Sequence, residues 1–176
     1  ATFSPELEAL AVKSNATCRQ VMDRLTRQYD GYRFTKDEEF TSMYNPFSVL
    51  SALQKRSYGN YWFASGTPTF LVEMLQKTDF DLREMEGIEV NEASLSDDRA
   101  DINYPIPMIY QSGYLTIKDY DERFRIYTLG FPNEEVKYGF LNFVSPFYTP
   151  IAQTDTSFYI GKFIRELESG DVDAFL

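Results

Sequence analysis

Between Tyr114 and Phe131 the chain reads "YLTIKDYDERFRIYTLGF", and this stretch constrains the fold more than any other. Apolar and polar residues alternate across two β-rich runs, Tyr114–Tyr120 and Phe124–Phe131, with Asp121-Glu122-Arg123 between them. A side-chain period of two on either side of a short polar break predicts a β-hairpin. A short helix over 106–111 leads into it and stops at Gly113, a residue free to take the positive φ of a helix end. Asn133 then reads as the cap of another helix, with Glu134 and Glu135 near the positive end of its dipole. Val136, Phe140, Phe143, Val144 and Phe147 form its buried side, and Pro146 and Pro150 close it. Helix, hairpin, helix is the order of a winged-helix-like module, and "EGIEV" (Glu86–Val90) supplies a candidate third strand.

The first 80 or so residues have a helical period instead. Ser4-Pro5-Glu6 reads as an N-cap, a first-turn proline and an acid at the positive end of a helix running to about Val12. Asn15 reads as the cap of a longer helix with Val21, Met22, Leu25 and Tyr29 on one stripe. "YDGYRF" ends it, with Asp30-Gly31 as a turn and Tyr32 to Phe34 extended. A polar loop, Lys36 to Ser42, follows. Asn45 and Pro46 open a helix whose Phe47, Leu50 and Leu53 share a face. Thr67 and Pro68 open another, with Phe70, Leu71, Met74 and Leu75 apolar. After Pro150 the pattern is helical again, with Phe158, Phe163, Ile164 and Leu167 apolar up to Gly170. The fold class is therefore α+β, mostly helical.

Composition supports a packed core and removes several chemistries. With 176 residues the chain suits one domain or two small subdomains sharing a core. Thirteen tyrosines and fifteen phenylalanines each bring roughly 150–250 Å² to bury. Histidine is absent, which excludes Ser-His-Asp and Cys-His catalysis and histidine metal ligation. The single cysteine, Cys18, excludes an internal disulfide or a multi-cysteine zinc site, and its helical, apolar neighbourhood predicts burial. No apolar run approaches the ~20 residues of a membrane span, and the N-terminus has no signal-peptide pattern, so a cytoplasmic location is expected.

Seventeen basic residues against twenty-seven acidic ones leave a net charge of −10. That balance gives no global attraction to nucleic acid. The basic residues form no run of five, and on the hairpin only Lys118, Arg123 and Arg125 are candidate phosphate contacts. Glu135-Val136-Lys137 has the E-x-K form of magnesium-dependent nucleases, with Asp119 and Asp121 upstream. Those sites place the motif on a buried strand, whereas here it falls in a helical first turn. The acidic loops lack the spacing of a calcium site. Neither G-x-x-x-x-G-K-[ST] nor G-x-G-x-x-G occurs.

One stretch remains, "YWFASGTPTFLVEML" (Tyr61–Leu75), where small hydroxylated residues and Gly66 precede a helix start. Free N–H groups at such a start attract anions. Pro68 removes one donor, however, and no Lys or Arg lies within five residues, so a capped helix in an apolar core is the simpler reading.

Four phrases in order, "YDGYRF", "YNPFSVLSAL", "YWFASGTPTFLVEML" and "YQSGYLTIKDYDERFRIYTLGFPNEEV", resemble the AAA-ATPase-like family abundant in Bacteroidetes. Its members usually carry a PD-(D/E)XK nuclease-like domain at the C-terminus. The resemblance covers nearly the whole chain and implies the middle of such a protein, with the Walker motifs before it and the nuclease-like domain after it. It implies a helical lid-like subdomain over 1–85, a winged-helix-like module over 86–150 and a helical linker over 151–176. Neither ATPase nor nuclease activity is expected of the chain itself, and no catalytic residue or metal ligand is assigned. ATP is the cofactor implied for the full-length protein. The implied partners are the N-terminal ATPase core and the C-terminal nuclease-like domain of the same polypeptide. "SGTPTFL" is also similar to the Gly-x-Pro motif that opens a lid helix in signal-transduction ATPases, whose proline packs on adenine. Gly66, Thr67 and Pro68 are the corresponding candidate contacts. A winged-helix nucleic-acid or protein interaction module is the alternative.

Overall fold

Glycine and asparagine punctuation divides the first third of the chain into three helices. The computed structural model describes residues 3–37, 41–64, 69–78, 80–81, 85–96 and 104–148. Helix α1 spans Ser4–Lys13, α2 Cys18–Tyr29 and α3 Pro46–Lys55. The Asn45 side chain accepts the Phe47 and Ser48 N–H groups at 3.1 and 3.3 Å, with Pro46 in the first turn. Two other caps differ from expectation. Phe3 precedes α1 without a side-chain cap, because its carbonyl already takes the Leu7 N–H and draws Ser4 into the helix. Asn15 sits at φ 50° in the turn after α1, and Thr17 caps α2 through a reciprocal box with Gln20. The Thr17-x-x-Gln20 spacing is itself the sequence mark of that box.

The apolar stripes are also displaced. Val21, Leu25 and Tyr29 are buried on α2 as expected, but Met22 is 43% exposed. On α3 the buried residues are Ser48, Ala52 and Leu53, while Phe47 and Leu50 are half exposed. Small residues let α3 approach its neighbours closely, so the helix turns its Ser48/Ala52 side inward. Cys18 is exposed, contrary to its predicted burial, because it opens α2 on the solvent side. A core of Leu10, Ala11, Val21, Leu25, Tyr29, Ala52 and Leu53 results.

The remaining elements surround a small sheet. They are α4 (Tyr61–Ala64), α5 (Thr69–Thr78), β1 (Ile88–Asn91), α6 (Glu92–Ser96), α7 (Ile106–Gln111), β2 (Thr116–Asp121), β3 (Ile126–Gly130) and α8 (Glu134–Tyr148). The sheet is antiparallel in the order β1-β3-β2, so the returning arm of the hairpin lies at its centre. Helices, a lone strand and a hairpin thus alternate around this sheet, and the fold is α+β and mostly helical. The hairpin is shorter than its alternation suggested. Tyr114 and Leu115 lead into β2, and Glu122–Arg125 form the turn. α8 runs through Pro146 to Tyr148 rather than closing there.

A bulge between Ile117 and Asp119 sets the phase of β2. The extra residue, Lys118, puts Ile117 and Tyr120 on the same face, opposite Leu129 and Tyr127 of β3. With Val90, Ile109, Leu71, Leu75, Phe140 and Val144 these form the larger core, which takes in the apolar side of α5. Each fully buried Leu, Val or Phe there contributes about 1.5–3 kcal/mol.

Candidate functional site

Where the two cores meet, α4 is held from several sides, and α4 leads directly into residues 65–68. Gly66, Thr67 and Pro68 themselves lie outside the described residues, as does the segment 151–176. On α4 the Trp62 ring lies 5.3 Å and the Phe63 ring 5.9 Å from that of Tyr114, and Phe63 also meets Phe143 of α8 at 5.9 Å. Tyr114 continues to Phe140 and Phe140 to Phe131, at 5.5 and 5.6 Å. Such tilted and edge contacts favour aromatic pairs beyond their buried area.

Glu135 fastens the start of α4. Its side chain is fully buried, and Oε1 accepts the Trp62 N–H at 2.8 Å. A carboxylate from α8 therefore caps a short helix distant in sequence, satisfying an N–H that the helix cannot. Desolvation pushes the Glu135 carboxyl above the usual range, while the Ser48 hydroxyl and the Trp62 and Tyr61 N–H groups pull it back. Ser48 Oγ and Glu135 Oε2 are both buried, and neither makes a hydrogen bond of full geometry. Lys137, two residues on along a helix, projects about 200° away from Glu135. E-x-K thus forms no convergent pair here.

Two further ties surround this junction. The Tyr29 hydroxyl donates to the Gly59 carbonyl and accepts the Gly59 N–H, both at 3.0 Å, fixing the turn before α4. Burial pushes that phenol up to about 12. Thr116 of β2 accepts the Arg33 N–H at 2.7 Å and donates to the Arg33 carbonyl at 2.9 Å, joining the Tyr32–Phe34 strap to the sheet. Gly31 makes the strap possible: at φ 113° it passes so close to Pro132 that a Cβ would lie 1.9 Å from the carbonyl oxygen.

The hairpin cations are not equivalent. Lys118 lies with Glu86 over Gly130, where a Cβ would come within 2.8 Å of Glu86 Oε1 and 3.2 Å of Lys118 Cε. The Lys118 ammonium is partly desolvated, which lowers its pKa; Glu86 opposes that effect and Lys137 adds to it. Arg123 stacks over the Phe124 ring at 5.0 Å, and Arg125 takes φ 54° to close the turn. Phe124 is 61% exposed at the hairpin tip. The side chain of Asp121 accepts the Arg123 and Phe124 N–H groups and shapes that tip.

Between the strap, α6, α7 and the sheet there is an open cleft of about 360 Å³, lined by residues that include Phe34, Lys36, Glu92, Leu95, Tyr110 and Tyr127. Sequence reading assigned nothing to it, and neither did it find the burial of Glu135. Among the described residues no group of three or more His, Cys, Asp or Glu side chains is placed to hold a metal. Among them, too, no helix is long and apolar enough to cross a membrane.

The chain is 34% identical over 142 residues to an uncharacterized protein in the vnfD 5' region of Azotobacter chroococcum mcd 1, covering 78% of this chain and 24% of that protein. It thus spans about a quarter of the length of the curated relative it matches. No family model and no solved structure matches it.

Proposed function

We propose that this chain is a non-catalytic part of an ATPase-like protein, in which Gly66, Thr67 and Pro68 complete a nucleotide site and α8 couples that site to a neighbouring domain. The reading rests first on the sequence resemblance. The observation that supports it here is the fixing of both flanks of residues 65–68. Glu135 and the Trp62–Phe63–Tyr114 cluster hold α4 to α8 and the sheet, and α5 inserts Leu71 and Leu75 into the same core. A nucleotide base resting on Pro68 would need an apolar edge and no cation, which fits the lack of Lys and Arg nearby. A shift at Pro68 would then reach α8 through Glu135. ATP is the cofactor of the longer protein, and its N-terminal ATPase core and C-terminal nuclease-like domain are the partners.

The decisive measurement is ATP affinity of the longer protein with and without Pro68→Arg. Weakening by about tenfold or more, equivalent to ~1.4 kcal/mol, is expected, and equal affinity would sink the proposal. The present chain alone is expected to show no ATP hydrolysis.

One observation favours a second reading, an interaction module that uses the hairpin as a wing. Phe124 stands exposed between Arg123 and Arg125 at the tip. Against nucleic acid as its partner, α7 (Ile106-Pro107-Met108-Ile109-Tyr110-Gln111) carries no cation, and Lys118 has the acidic Glu86 near it over Gly130. Duplex binding that falls steeply with salt would favour this reading over the first.

A further inference from the structure

Residues from several elements build one charged corner of the cleft between the strap, α6, α7 and the sheet. Strand pairing sets Tyr120 of β2 opposite Tyr127 of β3, with ring centroids 4.6 Å apart. Val90 of β1 pairs with Tyr127 from the other side, so Glu92, which opens α6 directly after β1, comes to the same end of the sheet. The strap runs beside β2, where the Arg33 carbonyl accepts the Ile117 N–H at 3.3 Å and the Thr116 hydroxyl at 2.9 Å. Three residues further on, the Lys36 ammonium lies over the Tyr120 ring, 5.0 Å from its centroid. Tyr120 and then Glu92 hold that ammonium above its ordinary pKa.

Tyrosine rings and a carboxylate around an ammonium group are the parts of an aromatic cation cage. In this chain the cation is its own Lys36. That side chain is exposed and belongs to no helix or strand, and an exposed cation–π contact is weak enough to be exchanged. Beyond Lys36 the cleft turns apolar, with Phe34, Leu95 and Ile117 among its walls, and Phe34 is 60% exposed there. Its volume of about 360 Å³ lies within the roughly 300–1,000 Å³ of small-ligand pockets. The net charge of −10 attracts cations to the surface and repels anions.

We propose that this cleft binds a small organic cation, an ammonium group on an apolar body, whose head takes the place of Lys36 Nζ over Tyr120 beside Glu92 and whose body lies against Phe34 and Leu95. Lys36 is then a built-in competitor that covers the cage when no ligand is bound. The site is separate from residues 61–75, which contribute no lining residue to the cleft among the described residues, so it does not depend on nucleotide binding by the longer protein.

The test titrates the isotope-labelled chain with benzyltrimethylammonium and follows the backbone amide signals of Thr35, Glu92 and Tyr127 by NMR. N-benzylacetamide serves as a neutral probe and phenylacetate as an anionic one. Saturable shifts with the cation alone are expected. Lys36→Ala should tighten cation binding by at least about fivefold, and Glu92→Gln should weaken it by about tenfold. Both residues are exposed, so circular dichroism should show each variant folded like the native chain. If the native affinity lies below detection, binding that appears only in Lys36→Ala supports the same competition.

No saturable binding by either the native chain or Lys36→Ala would overturn the proposal. Equal binding of the neutral or anionic probe would do so too, since the cage would then select no charge. Lys36→Ala binding no tighter than the native chain would remove Lys36 as the competitor, and an affinity unchanged by Glu92→Gln would remove the carboxylate; either result overturns the site as described.

Discussion

Glu134 and Glu135 are neighbours in the first turn of α8, yet solvent reaches one and not the other. Helix-end electrostatics favours an acid at either position, so the sequence makes both legible as dipole partners and neither as a buried group. The difference arises from α4 and α3, which cover Glu135 with Trp62 and Ser48. Burial raises its carboxyl pKa, so the native state holds this proton more tightly than the unfolded chain. The stabilisation associated with that proton is fully present below the unfolded value and is lost as pH rises through the folded one. Glu135→Gln keeps an acceptor for the Trp62 N–H and does not titrate. The variant should therefore gain stability relative to the native protein as pH rises from 4 to 7, in urea unfolding at each pH. A gap that stays constant with pH would contradict this account. Glu135→Ala, which orphans the Trp62 N–H and opens a cavity, should cost on the order of 2–4 kcal/mol at pH 7.

At the scale of elements, glycine decides how closely α8 and α4 approach. A Cβ at Gly139 would sit 2.6 Å from Cγ of Phe63 and 3.0 Å from its Cβ, near the rigid base of that side chain. Alanine normally gains about 1 kcal/mol over glycine in mid-helix. Here Gly139→Ala should instead destabilise the protein by ~1–3 kcal/mol, since overpacking exceeds the propensity gain. A midpoint that rises in thermal unfolding would show that α4 yields without cost. Some helix ends were legible, because caps are local chemistry: Asn45, Asn133 and the Asp30-Gly31 turn act as their sequence suggests, whereas Ser4 and Asn15 do not cap. Helix faces were less so. Phe47 and Leu50 have the spacing of a core stripe, but spacing identifies a shared face and not whether this chain covers it. The bulge at Lys118 likewise has no local signature, since it follows from pairing with β3.

At the scale of the whole molecule, two apolar cores are joined by polar contacts at their boundary. Tyr29 to Gly59, Glu135 to Trp62 and Thr116 to Arg33 are each made between segments far apart in sequence. Trp62, the only tryptophan, stands at this junction. If these contacts couple the cores, Trp62 fluorescence and far-UV circular dichroism should report one urea midpoint. Two separated transitions would show the helical and sheet-containing halves unfolding independently.

The sequence by itself determined most of the longer elements and some of their ends, the α+β class and the absence of histidine and internal disulfide chemistry, because these depend on residue type and short-range period. Tertiary structure alone decided that Glu135 is a buried clamp, that Lys118 and Glu86 come together over Gly130, and that Phe47 and Leu50 face outward. Burial and pairing depend on which distant segments come together, and no local pattern encodes that.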